Sequence, residues 1–466
     1  MLNDDRLFPA DPATREVARR LFQSIRSLPL ISPHGHTEPR WYAEDLPFPD
    51  PAQLLVVPDH YVTRMLVSQG VRLEQLGVPR HDGGTVETDG RTIWRLFARH
   101  YYLFRGTPSR MWLDTTFEDL FGLSEPLTPE SADRSYDTIA AALQSAAFRP
   151  RALFERFNLE VIASTDSAID ELRWHRQIRD SGWKGRVVPT YRPDAVVDPD
   201  KATFQADLDT LGALTGCDTG RWGGYLDAHW ERRAYFKQMG ATASDHGHPS
   251  AATADLSEAE AAVLFDRVRT GKADANEREL FRAQMLTEMA RMSVEDGLVL
   301  QIHPGAWRNH SPSMFAAFGA DKGFDIPRRT DYVAALKPLL DRYGMEPKLR
   351  IILFTLDEST YARELAPLAG VYPALRLGPP WWFFDSPEGM MRFRELATET
   401  AGFYNTVGFN DDTRAFPSIP ARHDVARRID SAYLARLVTE HRLREEEAFE
   451  VARDLAYRLP KEAYRL

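Results

Sequence analysis

The sequence predicts an α/β fold, a (β/α)8 barrel of the TIM type, and three observations carry that prediction. Short apolar runs rich in Val, Ile and Leu alternate with helical stretches, the pattern of a parallel sheet buried on both faces. Eight such runs can be counted, the number that closes a barrel. Run after run ends in polar or ionisable residues, and barrels build their sites at the C-terminal ends of strands. An open doubly wound sheet is the competing architecture. It usually shows a Gly-rich phosphate loop after its first strand, where this chain has His34-Gly35-His36.

The elements follow in order. Pro12, then Val17, Leu21, Phe22 and Ile25 at three-to-four spacing, open the chain with a helix. The first strand, residues 28–31, leads into His34 and His36. Residues 40–155 lack β-rich runs and hold aromatic-rich helical segments such as 59–69 and 92–104, which reads as a helical insertion covering the barrel mouth. The second strand, 159–164, ends at Thr165-Asp166, and the third, 185–189, at Thr190-Tyr191-Arg192. The fourth, 240–243, ends at Ser244-Asp245-His246, and residues 247–295 form a second excursion. The fifth, 298–302, ends at His303, the sixth, 350–354, at Thr355, and the seventh, 371–377, at Gly378. The eighth, 403–409, ends at Asn410-Asp411-Asp412. All of this is expected to be a single barrel domain over residues 1–466.

Composition narrows the function classes. A net charge of −10, with no basic block, argues against a nucleic-acid partner. An anion site must then be built locally from a few arginines. One cysteine, Cys217, excludes an intramolecular disulfide and a Cys-based zinc site. No apolar run approaches about 18 residues, so no transmembrane helix is expected. The N-terminus lacks the basic-then-apolar pattern of a secretory signal, so a cytoplasmic location is the simplest expectation.

His34 and His36 lie two apart, so their rings project to one face of the extended chain. Asp412, at the end of the eighth strand, becomes their neighbour when a barrel closes. Two imidazoles and a carboxylate suit one divalent ion, Zn²⁺ first, with Mn²⁺, Co²⁺ or Fe²⁺ as alternatives, and leave positions open for water or substrate. His303 is a further candidate, as ligand or as hydrogen-bond donor to substrate, and Asp245 joins it as a candidate catalytic carboxylate. Arg192 and Arg414, just beyond the third and eighth strands, suit an anionic substrate because a guanidinium matches a carboxylate bidentately. In the helical insertion, Tyr61 can serve as acid or base if its neighbours depress its pKa, with His60 close enough to bind an anion. No Gly-x-Ser-x-Gly elbow is present, which argues against nucleophilic acyl transfer.

An ordered set of motifs makes the chain recognisable: His34-Gly35-His36; Pro58-Asp59-His60-Tyr61 with Arg64; Thr165-Asp166; Pro189-Thr190-Tyr191-Arg192-Pro193-Asp194; Ser244-Asp245-His246-Gly247; His303 with Gly305 and Arg308-Asn309; Gly323-Phe324-Asp325; Trp381-Trp382-Phe383 with Asp385; Asp411-Asp412-Thr413-Arg414; and Pro420 with Arg422-His423. In these the chain resembles the uronate isomerase (glucuronate isomerase) family of the amidohydrolase superfamily, over nearly its whole length. Pro304-Gly305 after His303 and the spacing of Pro420 to Arg422 depart slightly from the family pattern.

The resemblance implies an aldose–ketose isomerase acting on a small-molecule hexuronate. It would convert D-glucuronate to D-fructuronate and D-galacturonate to D-tagaturonate through an enediolate. His60, Arg192 and Arg414 suit the uronate carboxylate, with the choice among them left open, and Trp381 joins them as a substrate-binding candidate. Tyr61 and Asp412 are the candidate proton-transfer pair, with their division of labour open. A homo-oligomer is left open as well. Two rival classes stand beside it: a metal-dependent amidohydrolase or lactonase on the same barrel, and a non-catalytic sugar-acid binding protein.

Overall fold

Pro33 has no N–H to give a sheet, so the first strand stops one residue earlier and runs Leu30–Ser32, fully buried. In this computed structural model, which describes residues 2–466, that strand pairs in parallel with Leu159–Ala163, which in turn pairs with Arg186–Val188. The second and third strands resume after a short break, as Asp166–Ser167 and Tyr191–Arg192, and these pieces also pair in parallel. Tyr191 passes the ladder through Ser244 to Ala243–His246. From there it continues through Val299–Ile302 and Ile351–Leu353 to Leu375–Leu377. The eighth position is a single parallel bridge from Leu377 to Thr406. Strand order follows chain order, the arrangement of a (β/α)8 barrel. At the two ends of this run, the His36 N–H donates to the Thr413 carbonyl at 3.1 Å, setting the first strand's end against the eighth's.

The last two strands are shorter than the sequence predicts. Val371 closes the helix Ala366–Val371, so the seventh strand is only Leu375–Leu377. In the eighth, Gly408 has φ of 78°, and a Cβ there would lie 2.5 Å from the Leu455 carbonyl oxygen. The chain turns sharply under the C-terminal helices at that glycine, and the ladder shrinks to Thr406.

Between the first two strands the described residues form helices and no strand, from Pro39–Glu44 to Pro150–Arg156. An aromatic cluster including Trp94, Phe97, Tyr101 and Phe104 packs this region, in one core with the strand residues Leu30, Leu159, Ile162 and Val187. Asp59 caps the helix His60–Val67, its Oδ1 accepting from the Tyr61 N–H at 2.8 Å, and so holds His60 and Tyr61 in the first turn. After the fourth strand, the helices Glu258–Arg269 and Ala275–Asp296 each start at a capping box. Among the described residues, no helix is long and apolar enough to cross a membrane.

Candidate active site

One cavity of about 910 Å³ at the C-terminal strand ends is lined by all ten site residues expected from the sequence: His34, His36, His60, Tyr61, Arg192, Asp245, His303, Trp381, Asp412 and Arg414. Four residues of the lining have left-handed backbone, Asn309 (φ 52°) among them. The others are Asp412 (φ 40°), Trp382 (φ 55°) and Asp321 (φ 60°). Aspartate tolerates that region, whereas a bulky Trp is an outlier held by its surroundings.

At the metal candidate, Asp412 Oδ1 lies 3.5 Å from His34 Nε2 and 3.2 Å from His36 Nε2, yet it accepts no hydrogen bond. Burial lowers the pKa of His36, so its ring is neutral near pH 7. Burial alone would raise Asp412, but the facing imidazoles of His34 and His36 outweigh it and hold the carboxyl well below its usual range. Three donor atoms therefore converge without satisfying one another, and these three residues can hold one metal ion.

Beside them, His303 donates from Nδ1 to Asp245 Oδ1 at 2.6 Å. Burial would raise Asp245, but Arg192, whose Nη1 is 3.0 Å from Oδ2, and His303 keep it ionised. An ionised carboxylate can only accept, so the proton of His303 sits on Nδ1 and the lone pair on Nε2. That Nε2 is buried and unpartnered. Burial depresses the pKa of His303 to about 4, so near neutrality Nε2 accepts, and it becomes a donor only after taking a proton. Stacking on Phe354 (3.8 Å between centroids) and on His34 (4.6 Å) fixes the ring.

Tyr61 corrects an expectation. A depressed pKa is the condition the sequence sets for its acting as acid or base, and the structure does the opposite. Burial first, and then the Asp385 carboxylate, raise the phenol well above its usual value. The hydroxyl donates to Asp385 Oδ2 and to the Trp382 carbonyl, each at 3.1 Å. The phenol is thus protonated near neutrality and donates its hydrogen bonds. Burial in turn lifts Asp385 to about 7, against the pull of the Arg422 guanidinium, whose Nη1 donates to Oδ2 at 3.0 Å.

The two arginines differ. Arg192 donates from Nε to Asp194 Oδ2 at 2.8 Å and pairs with Asp245, so two carboxylates already balance its charge. Arg414 donates from Nη2 to Asp321 at 3.1 Å and stays one-third exposed, which leaves it the better anion receptor. His60 is not a cation near neutrality: burial, and next Arg414, lower it to about 3. Trp381 packs edge-on to His303, 4.8 Å between centroids, and forms an apolar wall.

Asp385 and Arg422 were visible in the motif set but carried no assigned chemistry, because their roles come from burial and from contact with Tyr61. Arg308, which pairs with Asp325 at 2.9 Å and faces the Trp382 ring at 5.4 Å, had no role assigned either.

Comparisons with known proteins agree on one family. The family model for glucuronate isomerase matches residues 11–464. A uronate isomerase of Mesorhizobium japonicum is 71% identical over 466 residues, covering 100% of this chain and 99% of the relative. The crystal structure of a glucuronate isomerase from Caulobacter crescentus is 58% identical, with a TM-score of 0.98 over 100% of this chain and 97% of that one. A uronate isomerase structure from Thermotoga maritima retains a TM-score of 0.92 at 26% identity, over 100% and 99% of the two chains. With the whole chain matched in sequence and in fold, this protein belongs to the glucuronate isomerase family.

Proposed function

We propose that the chain interconverts D-glucuronate and D-fructuronate, and D-galacturonate and D-tagaturonate, by moving a proton between C2 and C1 in this cavity. The observation that carries the reading is the meeting of unlike groups on one cavity. An unpartnered acceptor, His303 Nε2, and a phenol kept protonated, Tyr61, share it with a partly exposed guanidinium, Arg414.

Arg414 binds the substrate carboxylate, and neutral His60 contributes a hydrogen bond beside it. His303 Nε2 takes the C2 proton and returns one at C1. Asp245 holds the correct tautomer and stabilises the imidazolium that forms. Tyr61 gives a proton to O1 as the C1 carbonyl becomes the enediol, and protonated Asp385 resupplies the phenol. The proton released from the O2 hydroxyl as the C2 carbonyl forms returns to the Tyr61–Asp385 pair, so no net proton is consumed. His34, His36 and Asp412 hold one divalent metal, Zn²⁺ by the chemistry of the donor set. When bound, the ion supplies a Lewis acid for the developing oxyanion. Asp412, held ionised at very low pKa, is then a ligand and a poor base, so the expected proton-transfer pair becomes Tyr61 with His303. The hydrolase alternative gains no specific observation.

Incubating metal-loaded protein with D-glucuronate and assaying for a 2-ketose tests the reading. Ketose from the wild type, with strongly reduced formation in His303→Gln and Tyr61→Phe, is the expected result. Absence of ketose with both glucuronate and galacturonate would overturn it.

A further inference from the structure

The chain contains a second His-Gly-His, residues 246 to 248, which the isomerase reading leaves unused. It lies at the end of the fourth strand as the first lies beyond the end of the first strand. The geometry repeats. The His34 and His36 rings stand 5.4 Å apart at 83°, and the His246 and His248 rings 5.7 Å apart at 80°. In each case a carboxylate from beyond a neighbouring strand completes the group, Asp412 at the first pair and Asp194 at the second. One donor atom each from Asp194, His246 and His248 falls within 4.8 Å of the other two.

Both rings of the second pair are buried, and His246 Nδ1 and His248 Nε2 have no hydrogen-bond partner. Leaving a buried polar atom unsatisfied costs about 1–3 kcal/mol. Two such nitrogens beside one carboxylate are the mark of a group that binds something between them.

We infer that Asp194, His246 and His248 form a second divalent-cation site, distinct from that of His34, His36 and Asp412. Two imidazole nitrogens and a carboxylate oxygen, with water completing the shell, suit Zn²⁺, Co²⁺ or Mn²⁺. His248 and Asp194 line the large cavity, so a cation can reach the site from it, although Asp198 and Asp200 beside them are paired with Arg282. The site is the weaker of the two. Asp194 already accepts from Arg192 Nε at 2.8 Å and from the Gly247 N–H at 3.2 Å to each oxygen, and the guanidinium repels an incoming ion.

Equilibrium dialysis of the chelator-stripped full chain against Co²⁺ or Zn²⁺, with metal counted per chain, tests the proposal. Wild type is expected to take up two equivalents of unequal affinity. His248→Ala and the more conservative His248→Gln are each expected to lose the weaker equivalent and keep the tighter one, and His36→Ala the reverse. Saturation of the wild type at one equivalent overturns the proposal without any variant. Persistence of the weaker equivalent in both His248 variants overturns it as well.

Discussion

The molecule holds two His-Gly-His pairs of nearly the same ring geometry, and what separates them is their carboxylate. Asp412 Oδ1 faces two imidazole nitrogens and accepts from neither, so it is free to ligate. Asp194 is already claimed by Arg192 and by the Gly247 N–H. The glycines differ in the same sense. A Cβ on Gly35 would meet nothing nearer than 3.6 Å, whereas one on Gly247 would lie 2.2 Å from Arg192 Nη2 and 2.8 Å from Asp194 Oδ2. The same three residues therefore stand beside an open carboxylate at one strand end and within a tightly packed charge cluster at another. A motif states which ligands are offered; its neighbours decide how strongly they are already engaged.

The largest expected effect breaks the pairs apart. Asp412→Asn should lower kcat by about 10²–10³-fold, because stabilisation of the developing oxyanion is lost with the metal. Asp194→Asn should cost less in kcat. Steady-state kinetics on both variants, with metal content measured, decides this, and equal losses would erase the distinction. Close in size is Asp245→Asn. An amide can present N–H to His303 Nδ1 and move the ring proton to Nε2, so kcat should fall about 10²–10⁴-fold, as for loss of a general base. Metal content at the first site should hold, and its loss would make Asp245 part of the metal centre instead.

A smaller effect belongs to the arginines. Arg414→Met removes a charge-assisted hydrogen bond and should cost roughly 1.5–3 kcal/mol in kcat/KM with little change in folding. Arg192→Met leaves the buried Asp245 and the part-buried Asp194 unbalanced and should destabilise the fold by about 3–5 kcal/mol, read by chemical denaturation. If Arg192→Met unfolds like wild type, its pairing with Asp194 and Asp245 contributes little. The pH dependence sharpens the donor side. Asp385 titrates near 7, and the account needs it protonated to resupply Tyr61. Activity should therefore fall as pH rises through that value, and Asp385→Asn should remove that limb of the profile.

The smallest effect returns to the glycines. Gly35→Ala should be close to neutral, while Gly247→Ala pushes into a guanidinium pinned by two carboxylates and should cost about 1–3 kcal/mol of stability. Thermal unfolding of the two variants compares them directly.

Much of this was legible in the sequence, for a physical reason. Val-, Ile- and Leu-rich runs alternating with helices carry strand order, and residues just past each run carry the site, so His34, His36, Asp412 and His303 could be placed together before any coordinates. The eighth strand was less legible, because its loss to a single bridge depends on the Leu455 carbonyl packing against Gly408, a contact between distant parts of the chain. The direction of the Tyr61 shift was illegible for a similar reason: it depends on burial and on Asp385, which the fold brings to it. The double pairing of Arg192 likewise appears only when the third and fourth strand ends meet.

The most direct test follows both directions of the reaction by proton NMR while a pH-stat records acid release. Metal-loaded protein given D-glucuronate, and separately D-fructuronate, should reach the same aldose–ketose mixture with no net acid produced. Acid release from a lactone without formation of any ketose from glucuronate would contradict the account and leave a hydrolase in its place.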